Sequence, residues 1–360
     1  MPSATPFIPK TQTAVIGSED HDFCIVQDLP VIECEDDMIL VKTHAVALNP
    51  VDTKLSGEMV TPGVSFGFDC AGTVVKIGSK VKREVSIGDR LCGSACGMDK
   101  TRISGGAFVE YAALAGDLTF KIPENMSYAD ACTMGTALNS AAMVLFQSFG
   151  IPWSLVDKPA EKAFPVLVYG ASSAVGTMTI QILKICGLQP LAVCSAKNFD
   201  LVRSYGAEEC WDYHSETCAA DIKKYTKNTL AYTVDCITDE TSMKICFASI
   251  GRAGGKYTAL DPFHPAGCTR KVVKADWIIA FAFTGRPCLW PEPFLSEARP
   301  ELLEYSHPFY VSMEKHFLAG KLRPHPTKVL QGGFPALLEG VGMLRRHEVS
   351  GQKLVVPIVN

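Results

Sequence analysis

The stretch that most constrains the fold is Phe164-Pro165-Val166-Leu167-Val168-Tyr169-Gly170-Ala171-Ser172-Ser173-Ala174-Val175-Gly176-Thr177. A short apolar run stops at a turn of small residues, and a helical pattern, Met178 to Lys184, starts at once. Strand, tight turn and helix in this order build a dinucleotide-phosphate site. Small residues let the backbone come close to a pyrophosphate. The first helical amides lack partners within the helix and point at the anion, aided by the helix dipole. The glycine pattern is incomplete: Gly170 and Gly176 are present, but Ser173 stands where a middle glycine is expected. On these residues alone, an ordinary strand-turn-helix stays open. The helix should close at Cys186-Gly187, with glycine in the left-handed cap. A second apolar run, Leu188 to Cys194, leads to Ser195-Ala196-Lys197-Asn198. NAD-selective sites place an acid there to hold the ribose hydroxyls. Here Ser195 and Lys197 offer a hydroxyl and a cation, which suit a 2′-phosphate. The expected cofactor is NADPH; a merely solvated Lys197 is the alternative.

A chain of 360 residues exceeds the usual span of one hydrophobic core, so two domains are expected. Hydrophobic content of 47% with 20% charged residues describes a compact soluble protein. A net charge of −4 argues against general nucleic-acid binding. Met1-Pro2-Ser3-Ala4-Thr5-Pro6 shows no basic region followed by an apolar run, so no secretory signal is expected. No stretch approaches a membrane span. The 14 cysteines are scattered singly and read as reduced, buried thiols of a cytoplasmic protein. Cys92 and Cys96 come nearest to a metal pair, but no second pair or histidine cluster follows, so no metal is expected.

Residues up to about 135 read as β-rich: Phe23 to Val26, Met38 to Leu48, Phe66 to Gly78, Val85 to Leu91 and Gly105 to Tyr111, with a short helical piece at Val51 to Leu55. Tyr128 to Val144 reads as one helix rich in small residues, equally a packed linker or the floor of a cleft with Thr136 facing a substrate carbonyl. Runs at Ala231 to Ile237 and Lys256 to Leu260 continue an alternation that gives a doubly wound parallel sheet. Asp261 to Leu295 reads as loop, with an aromatic cluster of Trp277, Phe281, Phe283 and Trp290 that is either core or the wall of an apolar pocket. Phe334 to Gly340 and Ser350 to Val356 return to helix and strand.

The Ala71-Gly72-Thr73-Val74 run, Gly88-Asp89-Arg90-Leu91, Gly106 to Tyr111 and the nucleotide turn follow one another as in the medium-chain dehydrogenases/reductases. The chain resembles that family over nearly its whole length. The resemblance implies α/β architecture: a GroES-like β-barrel catalytic domain (residues 1–135 and 305–360) carrying a Rossmann domain (136–304). Zinc alcohol dehydrogenases of the family have Gly-His-Glu where this chain has Gly67-Phe68-Asp69, and Asn49-Pro50-Val51-Asp52 occupies the neighbourhood of their early catalytic cysteine. With the four-cysteine lobe also missing, the likeness narrows to the zinc-free branch of quinone oxidoreductases and enoyl reductases.

Within that branch, Ala47 to Lys54, Gly135-Thr136-Ala137-Leu138, Tyr169 to Thr177 and Val349 to Val355 resemble fungal trans-acting enoyl reductases. Such enzymes serve a polyketide synthase, or a polyketide–nonribosomal peptide hybrid, whose own enoyl reductase domain is inactive. The resemblance implies NADPH contacts at Val51, Asp52, Thr53 and Lys54, at Ser172, Ser173, Ala174 and Val175, at Ser195, Ala196, Lys197 and Asn198, at Tyr213, at Leu260 and Asp261, and at Val349 and Ser350. It implies substrate contacts at Ala137, Leu138, Asn139, Ser140, Ala141, Ala142, Met143 and Val144, and at Phe281, Ala282, Phe283, Thr284 and Gly285. Lys54 and Thr136 are the expected catalytic residues: Lys54 to anchor the ribose or relay a proton, Thr136 to stabilise an enolate. From the residues alone, a solvated Lys54 is the alternative. The implied partner is the acyl carrier protein of such a megasynthase, with no nucleic acid and no membrane. Arg270, Lys271 and Lys274, or Arg345 and Arg346, could form a basic docking patch. No interface stripe stands out, which favours a monomer over a dimer. A free-standing NADPH quinone oxidoreductase or small-molecule enone reductase is the runner-up, and a non-catalytic docking subunit the reading of another class.

Overall fold

The structure is a computed structural model and describes residues 6–358. The stretch Met1–Thr5 read above for a signal lies outside the described residues. The chain forms two compact units, one of residues up to Thr136 together with those from Phe281, the other Ala137–Ala280.

In chain order the first unit contributes β1 (Thr11–Gly17), β2 (Phe23–Pro30), β3 (Met38–Ala47), α1 (Pro50–Lys54), β4 (Asp69–Ile77), β5 (Arg90–Ser94), β6 (Tyr111–Ala115), β7 (Thr119–Lys121) and α2 (Tyr128–Ala131). The boundary falls in α3 (Gly135–Ala142), which runs on into a wide π turn over Met143–Ser148. The second unit holds β8 (Pro165–Tyr169), α4 (Ala174–Ile185), β9 (Gln189–Val193), α5 (Phe199–Ser204), β10 (Glu209–Trp211), α6 (Cys218–Tyr225), β11 (Tyr232–Asp235), α7 (Glu240–Ser249), β12 (Gly255–Ala259) and β13 (Val273–Trp277). The first unit resumes with α8 (Pro300–Leu318), β14 (Thr327–Val329), α9 (Phe334–Arg345) and β15 (Lys353–Pro357).

The second unit is a six-stranded parallel sheet in the order β10-β9-β8-β11-β12-β13. Renumbered from β8, that order is 3-2-1-4-5-6, the doubly wound Rossmann arrangement. Leu167, Val193, Phe247 and Tyr257 share one core cluster of this sheet. The expected parallel fold is therefore present. One strand was missed: β13 lies inside the stretch read as loop, because five residues at a sheet edge with burial on only one face carry little apolar signal.

The first unit builds a mainly antiparallel sheet in the order β14-β15-β3-β4-β5-β7, with β6 also paired to β3, plus the hairpin β1-β2. The expected continuous helix over Tyr128–Val144 is broken at Cys132–Met134. Ser127 caps α2, and α3 begins anew where a carboxylate from β4 receives its first-turn amide.

The first unit resumes at Phe281 rather than at the expected 305. The Arg286 guanidinium binds Glu35 at 2.7 Å and Asp37 at 2.8 Å, and the Trp290 indole N–H donates to the Met98 carbonyl at 3.2 Å. These side chains tie the proline-rich segment to the N-terminal strands. The aromatic cluster separates accordingly: Phe281 packs on Trp290 with centroids 5.2 Å apart, whereas Trp277 belongs to β13 and the core of the other unit.

Candidate active site

In the second unit the candidate nucleotide site starts at the end of β8. Gly170 has φ +70°, and a Cβ there would lie 2.8 Å from the Ile237 side chain. Gly176 has no room for one either, with the Gly170 carbonyl oxygen 2.5 Å from that position. Both glycines are thus required by close approach. Ser173 at the middle position is the N-cap of α4: its hydroxyl oxygen accepts from the Gly176 amide at 3.1 Å. The serine takes up one first-turn amide and leaves those of Ala174 and Val175 without a partner inside the helix. Gly187 closes α4 at φ +70°, with the Leu188 amide returning to the Leu183 carbonyl at 2.8 Å.

The end of β9 is tied to this turn. The Asn198 side-chain amide donates to the Ser172 hydroxyl at 3.1 Å and to the Ser195 hydroxyl at 3.3 Å. Lys197 is exposed beside Ser195. The Asp212 carboxylate, beyond β10, accepts from the His214 amide at 3.0 Å. Tyr213 packs on Tyr169, centroids 6.0 Å apart. Asp235, at the end of β11, is buried and accepts from the amides of Ile237 and Thr238, each at 2.9 Å, from the Ser242 hydroxyl at 2.5 Å and from the Tyr257 hydroxyl at 2.8 Å. Burial raises its carboxyl above the ordinary range, while these donors pull it back. The loop it organises carries Ile237 to the nucleotide turn, and the Leu260 amide bonds the Asp235 carbonyl at 3.2 Å, with Asp261 following. The second unit therefore gathers Ser172, Ser173, Ala174, Val175, Ser195, Ala196, Lys197 and Asn198 around one turn, with Tyr213 on Tyr169 beside β8. Small residues, two close backbone approaches and a cation at the next strand fit a phosphorylated dinucleotide.

The first unit holds a separate group of the expected residues. Three strand ends converge because β3 pairs antiparallel with both β4 and β15. Asn49 follows β3, Asp69 opens β4 and Lys353 opens β15. Asp69 is fully buried. One of its oxygens accepts from the Thr136 amide at 2.6 Å and the Thr136 hydroxyl at 2.8 Å; the other accepts from Asn49 at 3.0 Å and from the Lys353 ammonium at 2.6 Å. Lys353, only 5% exposed, also reaches the Asn49 side-chain oxygen at 2.9 Å and the Thr133 carbonyl at 3.4 Å. Nothing in the sequence singled out Lys353, whose partners lie far away along the chain.

Two expected roles change on this geometry. Thr136 has one hydroxyl proton, and it is given to Asp69, so the side chain as it stands does not offer a donor to an enolate. Asp52 turns inward, accepts from the Asn49 amide at 2.6 Å and is fully buried, so its carboxylate caps α1 rather than facing a cofactor. Burial pushes that carboxyl well above the usual range. Lys54 is exposed at the last turn of α1, with Val51 and Thr53 half-buried on the same helix. Val349 and Ser350 precede β15 in the same unit. Ala137 to Val144 are all buried, as are Phe281 and Phe283, while Thr284 bonds back to the Phe281 carbonyl at 2.8 Å and Gly285 turns at φ +72°. Of the residues expected to form basic patches, Lys271 and Lys274 are exposed, and the three arginines have partners. Arg270 caps the end of α7 through the carbonyls of Phe247, Ile250 and Gly251; Arg345 faces Asp22, and Arg346 pairs with Glu348.

Residues 35–124 match the alcohol dehydrogenase GroES-like domain, and residues 174–259 match the family described as zinc-binding dehydrogenase. The protein called trans-enoyl reductase buaC, from Petromyces alliaceus, is 54% identical over 348 residues, covering 97% of this chain and 97% of its own. The chain belongs to the trans-enoyl reductase family. Among solved structures, the CurK enoyl reductase superposes with a TM-score of 0.73 at 16% identity, covering 97% of this chain and all of its own. A mycobacterial protein solved with NADPH gives 0.71 at 17% identity, covering 96% and 100%. At such identities these two speak for the fold, a medium-chain dehydrogenase/reductase of GroES-like and Rossmann parts. Where the zinc enzymes carry Gly-His-Glu, Phe68 packs edge-on against Trp290, 5.9 Å between centroids, and Asp69 pairs with the Lys353 ammonium. Among the described residues, no three His, Cys, Asp or Glu are grouped to hold a metal. Nor is any described helix long and apolar enough to cross a membrane.

Proposed function

We propose that this oxidoreductase uses NADPH to reduce the α,β-double bond of enoyl thioesters held on the acyl carrier protein of a partner polyketide synthase or hybrid megasynthase. The likeness to buaC over nearly the full chain carries the reading. When bound, the nicotinamide supplies a hydride for the β-carbon. Negative charge then gathers on the thioester oxygen as an enolate, and a proton added at the α-carbon completes the reduction. An α,β-unsaturated thioester is already electrophilic at the β-carbon, so this chemistry asks for no Lewis acid at the carbonyl. The amides of Ala174 and Val175 would take the pyrophosphate, and Lys197 with Ser195 the 2′-phosphate. Lys54, exposed on α1, holds protons that a ribose or a developing enolate could use. Asp69 holds Thr136 at the start of α3. The enzyme works in the cytoplasm, where its fourteen free thiols stay reduced.

The test is co-expression of the partner synthase with and without this protein. The expected result is a product saturated at one or more positions only when the protein is present. Identical products in both strains contradict the reading. Chelators should leave activity intact, and complete loss on chelation would restore a metal to the site.

A further inference from the structure

We propose that Lys353 is a positioning residue of the reductase site: its ammonium holds the Asp69 carboxylate, and Asp69 in turn fixes the amide and hydroxyl of Thr136 at the start of α3. The inference rests on the enoyl-reductase reading given above.

The donors and acceptors close on themselves. A carboxylate offers about four acceptor positions, and Asp69 receives four donors: Lys353, Asn49, and the Thr136 amide and hydroxyl. An ammonium has three protons, and Lys353 faces three acceptors, on Asp69, Asn49 and Thr133. These partners lie 284, 304 and 220 positions from Lys353, so one side chain braces the ends of β3 and β4 and the turn before α3. A fully satisfied buried network is rigid. A buried ion pair seldom stabilises a fold more than apolar side chains of the same volume would. Stability alone therefore gives little reason for a lysine here, whereas holding Thr136 in one place does. Gly135 is built into the same corner: a Cβ there would lie 2.7 Å from the Asp69 carboxylate and 2.6 Å from the Gly93 backbone. The start of α3 thus has one seat, with a charged floor.

The experiment compares wild type, Lys353→Met and Lys353→Ala in enoyl-pantetheine reduction, with hydrogen exchange of the peptide containing Thr136. Methionine keeps the stem and removes the charge. Its expected kcat is lower by about 10²-fold, the scale of a small misplacement at an active site, with NADPH affinity unchanged and faster exchange at Thr136. Ethylammonium should restore Lys353→Ala in a saturable way, and 1-propanol should not. A Lys353→Met enzyme with wild-type kcat and exchange overturns the proposal and leaves the enoyl-reductase reading standing. So does rescue of Lys353→Ala by both additives or by neither. A wild type inactive on every enoyl thioester overturns that reading, and the proposal with it. Should Lys353→Met not fold, Lys353→Met with Asp69→Asn leaves no buried charge unpaired. It should fold and recover kcat, because the carboxamide oxygen still accepts from Thr136. A folded double variant that stays inactive shows that Lys353 does not act through Asp69.

Discussion

Replacing Gly176 with alanine should cripple cofactor binding while leaving the chain folded. The added Cβ would lie 2.5 Å from the Gly170 carbonyl oxygen and 2.6 Å from that of Ala171, against a closest real approach of 3.0 Å. The difference, 3.0 − 2.5, requires a shift of 0.5 Å. Both neighbours are backbone of the nucleotide turn, so α4 itself must move away from the end of β8. Overpacking of this kind costs about 1–3 kcal/mol of stability. The same shift carries the Ala174 and Val175 amides away from the phosphate, for an expected loss of about tenfold in NADPH affinity, or about 1.4 kcal/mol. Gly342→Ala in α9 is the control: its Cβ meets only the tip of the Arg346 side chain, at 3.0 Å. That variant should gain about 1 kcal/mol from helix propensity and bind NADPH normally. The assay is NADPH fluorescence titration beside urea unfolding of each variant. A folded Gly176→Ala protein that binds NADPH as wild type does would refute the argument.

Lys197→Ala should weaken NADPH by about tenfold or more, the worth of one charge-assisted hydrogen bond, and leave NADH nearly unchanged; an unaltered NADPH-to-NADH ratio contradicts the phosphate role. His325 is held at about 4, by burial first and the Lys353 charge second, against an ordinary value of 6.5. The unfolded chain therefore binds the extra proton between those values, so this stability is complete above pH 6.5 and is lost as pH falls towards 4. The loss amounts to about 3 kcal/mol. His325→Gln should flatten urea midpoints measured across that range, and a wild type with no pH dependence there contradicts the assignment. Asp69→Ala strands the Lys353 ammonium and should cost about 3–5 kcal/mol, read as a fall of about 4–7 °C in Tm for a chain of this length; a change under about 1 kcal/mol would mean the pair is not intact in solution.

The parts of the molecule written in local sequence were readable, and those written in tertiary contacts were not. The nucleotide turn announces itself because strand, small residues and helix are contiguous, and Gly187 ends α4 as expected. Ser173 looked like a defect in the glycine pattern. Its capping bond to Gly176 shows a different solution to the same need, supplying an acceptor where a glycine would supply only space. The Lys353 network was invisible because a lysine in a terminal strand reads as a surface residue until β15 is laid against β3. Thr136 was expected to face a substrate, yet its hydroxyl proton goes to a carboxylate 67 positions earlier. The arginines singled out as docking candidates have partners that the sequence does not show. Sequence shows a run of charge, but not the carbonyls at the end of α7 that consume Arg270 or the Glu348 that neutralises Arg346. The proline-rich segment after Phe281 has no periodicity to assign it to either unit, and Arg286 decides the matter through Glu35 and Asp37.

Hydride transfer to an activated double bond is tested most directly with purified protein, an enoyl-pantetheine thioester and NADPH deuterated at the transferring position. The account predicts one NADPH oxidised for each double bond reduced, with deuterium recovered on the β-carbon of the saturated thioester. No NADPH oxidation with any enoyl thioester, alongside rapid reduction of small quinones, would contradict it.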